Sequence, residues 1–208
     1  MGTLCFNVIA RLALMLALTA AADVTHALGQ SETTRSTAAA DSPFASSRWP
    51  SVDAGGPQGW GPVQLVIFKS KRSLALYRAG NFEREVRIVL GLQPSGRKRH
   101  ANDARTPEGL YHVTSKLPHQ RWQVFLELDY PNEKDRHRYE EDVRAGRIPD
   151  EDGRPFAIGD SIGIHGNDRP AEQEAGVDWT KGCIALKAAD IAAVAAIVPV
   201  GTPVWIVE

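Results

Sequence analysis

Apolar positions along this chain come in short blocks separated by turn-forming residues. Val63-Gln64-Leu65-Val66-Ile67-Phe68 is almost continuously apolar, Ser73 to Tyr77 follows it, and Arg84 to Leu90 alternates through Val86, Ile88 and Leu90. Lys69 to Arg72 and Ala79-Gly80-Asn81 are too short to hold crossover helices, so the three blocks predict an antiparallel meander and argue against a Rossmann-type fold. Further strands are expected over Leu110 to Lys116, around Val124 to Leu128, at Ile162-Gly163-Ile164 and Cys183-Ile184-Ala185-Leu186, and over Val204 to Val207. Two segments carry helical spacing. Asp135 to Arg147 is highly charged, with Tyr139 and Val143 four apart, which predicts a short exposed helix inserted into the sheet. Between Lys187 and Val198, residues Ile191, Val194 and Val198 mark one helix face that Pro199 ends. No segment repeats at a fixed period. The expected class is mostly β, a β-rich α+β fold with a mixed sheet and one or two short helices.

The pattern stops short of the N-terminus. Asp23 to about Gly61 is rich in Ala, Ser, Thr, Gly and Pro without apolar periodicity, and residues 23–60 read as a flexible linker in which Trp49 and Trp60 are isolated aromatics. Ahead of it, Arg11, the run Leu12 to Ala20 and the small residues Ala20 to Ala22 fit a secretory signal over residues 1–22. That run is shorter than the roughly 20 residues a membrane span needs, so cleavage after Ala22 and an exported product, periplasmic or in the cell envelope, are expected. Cys5 lies upstream of the run and is discarded with it. The globular part is then residues 61–208. With 208 residues, 43% hydrophobic, the chain can fill one core of moderate size. A net charge of -1 gives no global reason to expect nucleic acid, and no membrane contact is expected once the signal is gone.

Cleavage leaves Cys183 as the one cysteine of an exported protein, where paired cysteines would be oxidised to disulfides. It can be a small buried hydrophobe or a nucleophile. A cysteine nucleophile needs a base, a group to orient that base, and donors for the oxyanion formed on attack. His165 is the candidate base. Each residue lies beside a glycine at the margin of a strand-like run, although this spacing alone does not exclude a surface histidine and a core cysteine. A zinc site is disfavoured, because there is no second cysteine and no His-x-x-x-His pair nearby.

Ile164-His165-Gly166 followed by Asp178-Trp179-Thr180-Lys181-Gly182-Cys183-Ile184-Ala185-Leu186 resembles the active-site signature of YkuD-type L,D-transpeptidases, a His-Gly pair ahead of a Ser/Thr-x-Gly-Cys turn. Leu90-Gly91 and Arg105-Thr106-Pro107-Glu108-Gly109 resemble the family's upstream elements, so the likeness spans roughly residues 63 to 207. The resemblance implies a YkuD-like catalytic fold. It also implies that Cys183 forms a thioacyl intermediate, that His165 is the general base, that the Gly182 region supplies oxyanion donors, and that Thr180 binds substrate or supports the turn. Gly166 and Trp179 become candidate substrate contacts. The implied substrates are diaminopimelate-containing peptidoglycan stem peptides, attacked at the carbonyl of the L-centre, without cofactor or metal. Two positions depart from the commonest signature: Lys181 stands where His precedes Gly-Cys, and Ala185 where Arg or Asn follows. In this the chain is similar to the YafK-like branch, whose members are related both to cross-link formation and to hydrolytic release of proteins from the wall.

Three functions stay open on the sequence: an L,D-transpeptidase, a cysteine hydrolase of the same fold releasing wall-linked peptide or lipoprotein, and an inactive wall-binding module. Lys181 reads either as a solvated loop residue or as a contact for a substrate carboxylate. Arg97-Lys98-Arg99-His100 reads as a solvated loop that could meet an anionic wall polymer. Oligomeric state is not legible.

Overall fold

Two of the expected turns show why the meander forms. Strand β1 (Val63–Phe68) pairs antiparallel with β2 (Ser73–Arg78), and β2 with β3 (Asn81–Val89). The second hairpin has Arg78 opposite Asn81, and its two loop residues, Ala79 and Gly80, have φ of 48° and 78°. Positive φ at both positions is what a two-residue turn needs to follow the strand twist. This computed structural model describes residues 62–208; the signal expected over 1–22 and the linker expected over 23–60 lie outside the described residues.

The remaining strands are β4 (Gly109–His119), β5 (Gln123–Leu128), the short hairpin β6 (Asp150–Glu151) and β7 (Arg154–Pro155), β8 (Gly163–His165), β9 (Ile184–Leu186) and β10 (Pro203–Val207). The large sheet is a closed barrel in the order β1-β10-β4-β5-β8-β9-β3-β2. It is mixed: β1 runs parallel to β10 and β8 parallel to β9, while the other pairs are antiparallel. Closure leaves the wall without an unpaired edge. It also explains the unbroken apolar run of β1. Leu65 and Ile67 enter the main core, and Val66 joins Ala75, Tyr77, Phe68 and Trp205 in a second cluster, so both faces of the strand are covered.

Three helices occur among the described residues: α1 (Glu133–Arg144), α2 (Pro170–Ala175) and α3 (Ala188–Ile197). α3 buries Ile191, Val194 and Ala195 and packs on β5. α1 starts at Asn132 with a reciprocal capping box to Asp135. Its outer face is solvated as the charge pattern predicts, but Asp142 is fully buried, 2.7 Å from Arg97 and 2.6 Å from Arg147. These bonds tie α1 to the 97–105 loop, an attachment that the pattern of an exposed insertion did not foresee. α2 is an addition to the two expected helices. No helix among the described residues is long and apolar enough to cross a membrane.

Candidate active site

The Thr180–Cys183 turn is held by its own threonine. Thr180 Oγ1 donates to the Cys183 carbonyl at 2.7 Å and accepts from the Gly182 amide at 3.0 Å. Its backbone is bonded to Leu90 O and to Leu92 N, and Asp178 just upstream accepts from the Leu90 amide at 2.8 Å and from the Arg72 guanidinium. Gly182 has φ of 134°, and a Cβ there would stand 2.6 Å from Arg105 O and 3.0 Å from Ile162. A Cβ on Gly91 would stand 2.1 Å from Ala104 O. Leu90-Gly91, the Ala104-Arg105-Thr106 segment and the Gly182 turn therefore pack backbone to backbone, which only glycine permits at those two places.

His165 ends β8, and the parallel register with β9 sets it opposite Ala185, with Ile164 opposite Ile184. Ile164 and Ile184 belong to the core, so the alternation of the strands sends His165 and Cys183 to the other face of the wall. There the imidazole lies under Trp122, with ring centroids 4.2 Å apart and planes at 22°, beside Phe125 and edge-on to Trp179. Trp122 is itself fixed: its indole N–H donates to Asp168 at 3.2 Å, its ring stacks on His119, and Arg121 pairs with the same Asp168. His165 Nδ1 is 2.5 Å from the Gly166 carbonyl. A carbonyl only accepts, so Nδ1 carries the proton and Nε2 is the bare nitrogen. Burial lowers the His165 pKa to about 4, although the Gly166 hydrogen bond and the Asp168 charge pull it upward. The resting imidazole is neutral.

Cys183 is half-buried, and its thiol donates to the Ser161 carbonyl at 3.5 Å. Burial pushes the thiol pKa up, with the Gly163 amide and the Lys98 charge acting in the opposite direction. The sulfur borders a cavity of about 220 Å³ whose wall includes Lys98, Asp160, Ser161, Ile162 and Lys181. Among the described residues, no three His, Cys, Asp or Glu side chains come together as a set of metal ligands.

A family model described as the L,D-transpeptidase catalytic domain, YkuD, matches residues 62–206. The chain belongs to the YkuD family. No curated protein sequence matches it. Among solved structures, this YkuD domain is similar to the helical cell shape determining protein Pgp2 of Campylobacter jejuni, with a TM-score of 0.52 and 23% identity over 70% of this chain and 47% of that one. It is similar to Bd1075 of Bdellovibrio bacteriovorus with a TM-score of 0.51 and 17% identity, over 75% of this chain and 51% of that one. The likeness is one of fold, and the chain spans about half the length of these proteins.

Within the YkuD domain, the residues singled out in the sequence are placed as follows. His165 and Cys183 stand at the margins of adjacent strands, and Trp179 borders His165. Thr180 is buried and spent on the turn, and the Gly182 amide is already bound to it, so neither faces the cavity with a free group. Gly166 gives its amide to Trp122 O and its carbonyl to His165; a Cβ on it would stand 2.4 Å from Trp122 O, so it serves the packing of the β4–β5 turn. Lys181 is exposed on the cavity rim. The sequence reading missed Trp122 and misread Lys98. Trp122 had only its place in a turn between two strands as a signal. Lys98 is not solvated: its side chain is 2% exposed and 2.8 Å from Asp103.

Proposed function

We propose that this YkuD domain is a cysteine-dependent peptidoglycan L,D-transpeptidase acting on diaminopimelate-containing stem peptides outside the cytoplasm, where the expected signal would send it. The observation that carries this reading is the fixed tautomer of His165: with Nδ1–H held by the Gly166 carbonyl, Nε2 is left as a base on the strand beside Cys183. On attack, the Cys183 thiol passes its proton to His165 Nε2 and its sulfur bonds to the carbonyl carbon at the L-centre of diaminopimelate. The oxyanion is received by a backbone amide of the Cys183 turn other than those of Thr180 and Gly182, which are already bonded within the fold. Collapse breaks the C–N bond, the leaving amine takes the proton from His165, and a thioester remains. An acceptor amine then yields its proton to His165, bonds to the acyl carbon and releases the thiol. Water in place of the amine turns transfer into hydrolysis, with release of peptide or wall-linked protein.

Since the thiol is raised and the imidazole lowered, the resting pair is uncharged, and the proton moves during attack rather than before it. Intact-mass analysis with a defined tetrapeptide tests the reading. Wild type should gain the acyl mass at Cys183 and Cys183→Ala none, while His165→Ala should lose at least roughly a hundredfold in turnover. Product masses with and without an acceptor amine assign transfer or hydrolysis. Full turnover by Cys183→Ala would remove the thioacyl mechanism.

A further inference from the structure

Lys98 sits in the cavity wall beside Cys183, yet its side chain is almost fully removed from solvent. A lysine in that position needs anionic company. The structure gives its ammonium one partner, Asp103 Oδ1 at 2.8 Å. That carboxylate is already shared. Asp103 also accepts the backbone amides of Arg99 at 2.5 Å, His100 at 3.2 Å and Arg105 at 3.0 Å, the bonds that shape the loop. Asp103 balances the charge of the lysine, but its oxygens are shared with three backbone amides and it takes one of the ammonium's three N–H groups, leaving two still to be used. Loop attachment does not require this lysine, because Arg97 already ties the loop to Asp142 on α1. Lys181, which is exposed, and Asp160 also line the cavity, so besides the paired Lys98 its wall carries a second cationic side chain and one carboxylate. At about 220 Å³ the cavity is smaller than the roughly 300–1,000 Å³ of sites for drug-sized ligands, and suits the end of one residue rather than a length of chain.

We propose that Lys98 is a specificity-determining residue: its ammonium receives a free carboxylate of the substrate, seated in the cavity beside the Cys183 sulfur. Lys181, free in solvent, closes over the same carboxylate. Assigning that carboxylate to a stem peptide rests on the function proposed above, and two of its carboxylates qualify, the one on the far centre of diaminopimelate and the one ending the peptide. The Lys98 charge also acts on the thiol, drawing its pKa downward against burial. A pocket so charged distinguishes an acid from its amide.

Alkylation of Cys183 tests the charge without any turnover. Iodoacetate and iodoacetamide differ in one carboxylate, and peptide mapping by mass locates each adduct. In the full-length protein, the ratio of iodoacetate to iodoacetamide rates at Cys183 should exceed that of the urea-unfolded chain roughly tenfold or more. Lys98→Met should bring the ratio down to the unfolded value, Lys98→Arg should keep it, and Lys181→Met should lower it only in part. A folded wild-type ratio equal to the unfolded one overturns the proposal, and this comparison needs no variant to fold. Turnover then assigns the source. Stem peptides amidated at diaminopimelate or at the C-terminus should each be compared with the free acid, and Lys98→Met should lose about tenfold in kcat/KM on the acid while leaving the responsible amide unchanged. An equal loss on all three peptides would mean a structural role. A charge-dependent alkylation ratio without peptide turnover would keep the carboxylate site and remove the transpeptidase reading. Turnover with an unselective ratio would do the reverse.

Discussion

A histidine under a tryptophan, with one nitrogen bound to a carbonyl, has its protonation decided by burial. Well above pH 6.5 His165 is uncharged in both the folded and the unfolded chain, so its titration has no effect on stability there. As pH falls from 6.5 towards about 4, the unfolded chain takes up the proton and the buried ring does not, so stability drops through that window and levels off below it. A shift of this size corresponds to about 3 kcal/mol over the whole window. Urea unfolding at pH 7 and pH 4.5 should show wild type losing more stability than His165→Gln, and equal losses would mean that the ring does not resist protonation. On the mechanism proposed above, the same cause sets the acid limb of activity: kcat/KM should persist below pH 6 and fall near pH 4 as Nε2 takes a proton. Trp122→Ala should move that limb upward towards the ordinary histidine range, because the stack supplies much of the burial. Trp122 is only partly buried, so the accompanying loss of stability should be smaller than the roughly 3–5 kcal/mol of a fully buried aromatic.

At the level of elements, the turn and the loop behind it were legible to different degrees. Strands β1, β2, β3 and β10 stood out because either both faces are apolar or the pattern alternates, and the turn residues between them follow known backbone rules. The Cys183 turn was legible through its glycine and its likeness to a family signature, but not through its mechanics, since nothing local to Thr180 says that its hydroxyl bridges Cys183 O and Gly182 N. Thr180→Val keeps the shape and removes both bonds. It should cost about 1–3 kcal/mol in urea unfolding and lower kcat more than it changes KM; an unchanged kcat would mean that the turn holds without the hydroxyl. α2 escaped notice because it has six residues, and its buried side chain, Gln173, is polar and bonds to Ala185 O. Lys98 and Asp142 were misread for one shared reason: charged runs look solvated until the fold supplies partners, and these partners come from another element or from further along the loop. Asp142→Asn should detach α1 from the 97–105 loop at a cost of about 2–4 kcal/mol, seen as a lower thermal midpoint.

For the molecule as a whole, the decisive contact joins its first described strand to its last. β10 lies between β1 and β4, so removing Pro203–Val207 strips both of a neighbour and exposes two long edges. The shortened chain should lose its cooperative melt by circular dichroism, and a surviving sharp transition would mean that the wall does not depend on closure. Leu65 pairs with Val204 and Phe68 with Val207, contacts that enclose nearly all the intervening sequence and therefore carry a large loop-closure entropy. Chains dominated by such long-range pairings refold on the millisecond-to-second scale rather than in microseconds. The hairpins β1–β2–β3 and β4–β5 use neighbouring residues and can order early, whereas the ring stays open until its final strand arrives. A polypeptide released N-terminus first, from a ribosome or through a translocation channel, consequently carries Cys183 out ahead of the strand that seals the barrel, and the domain acquires its finished form only when Pro203–Val207 come free.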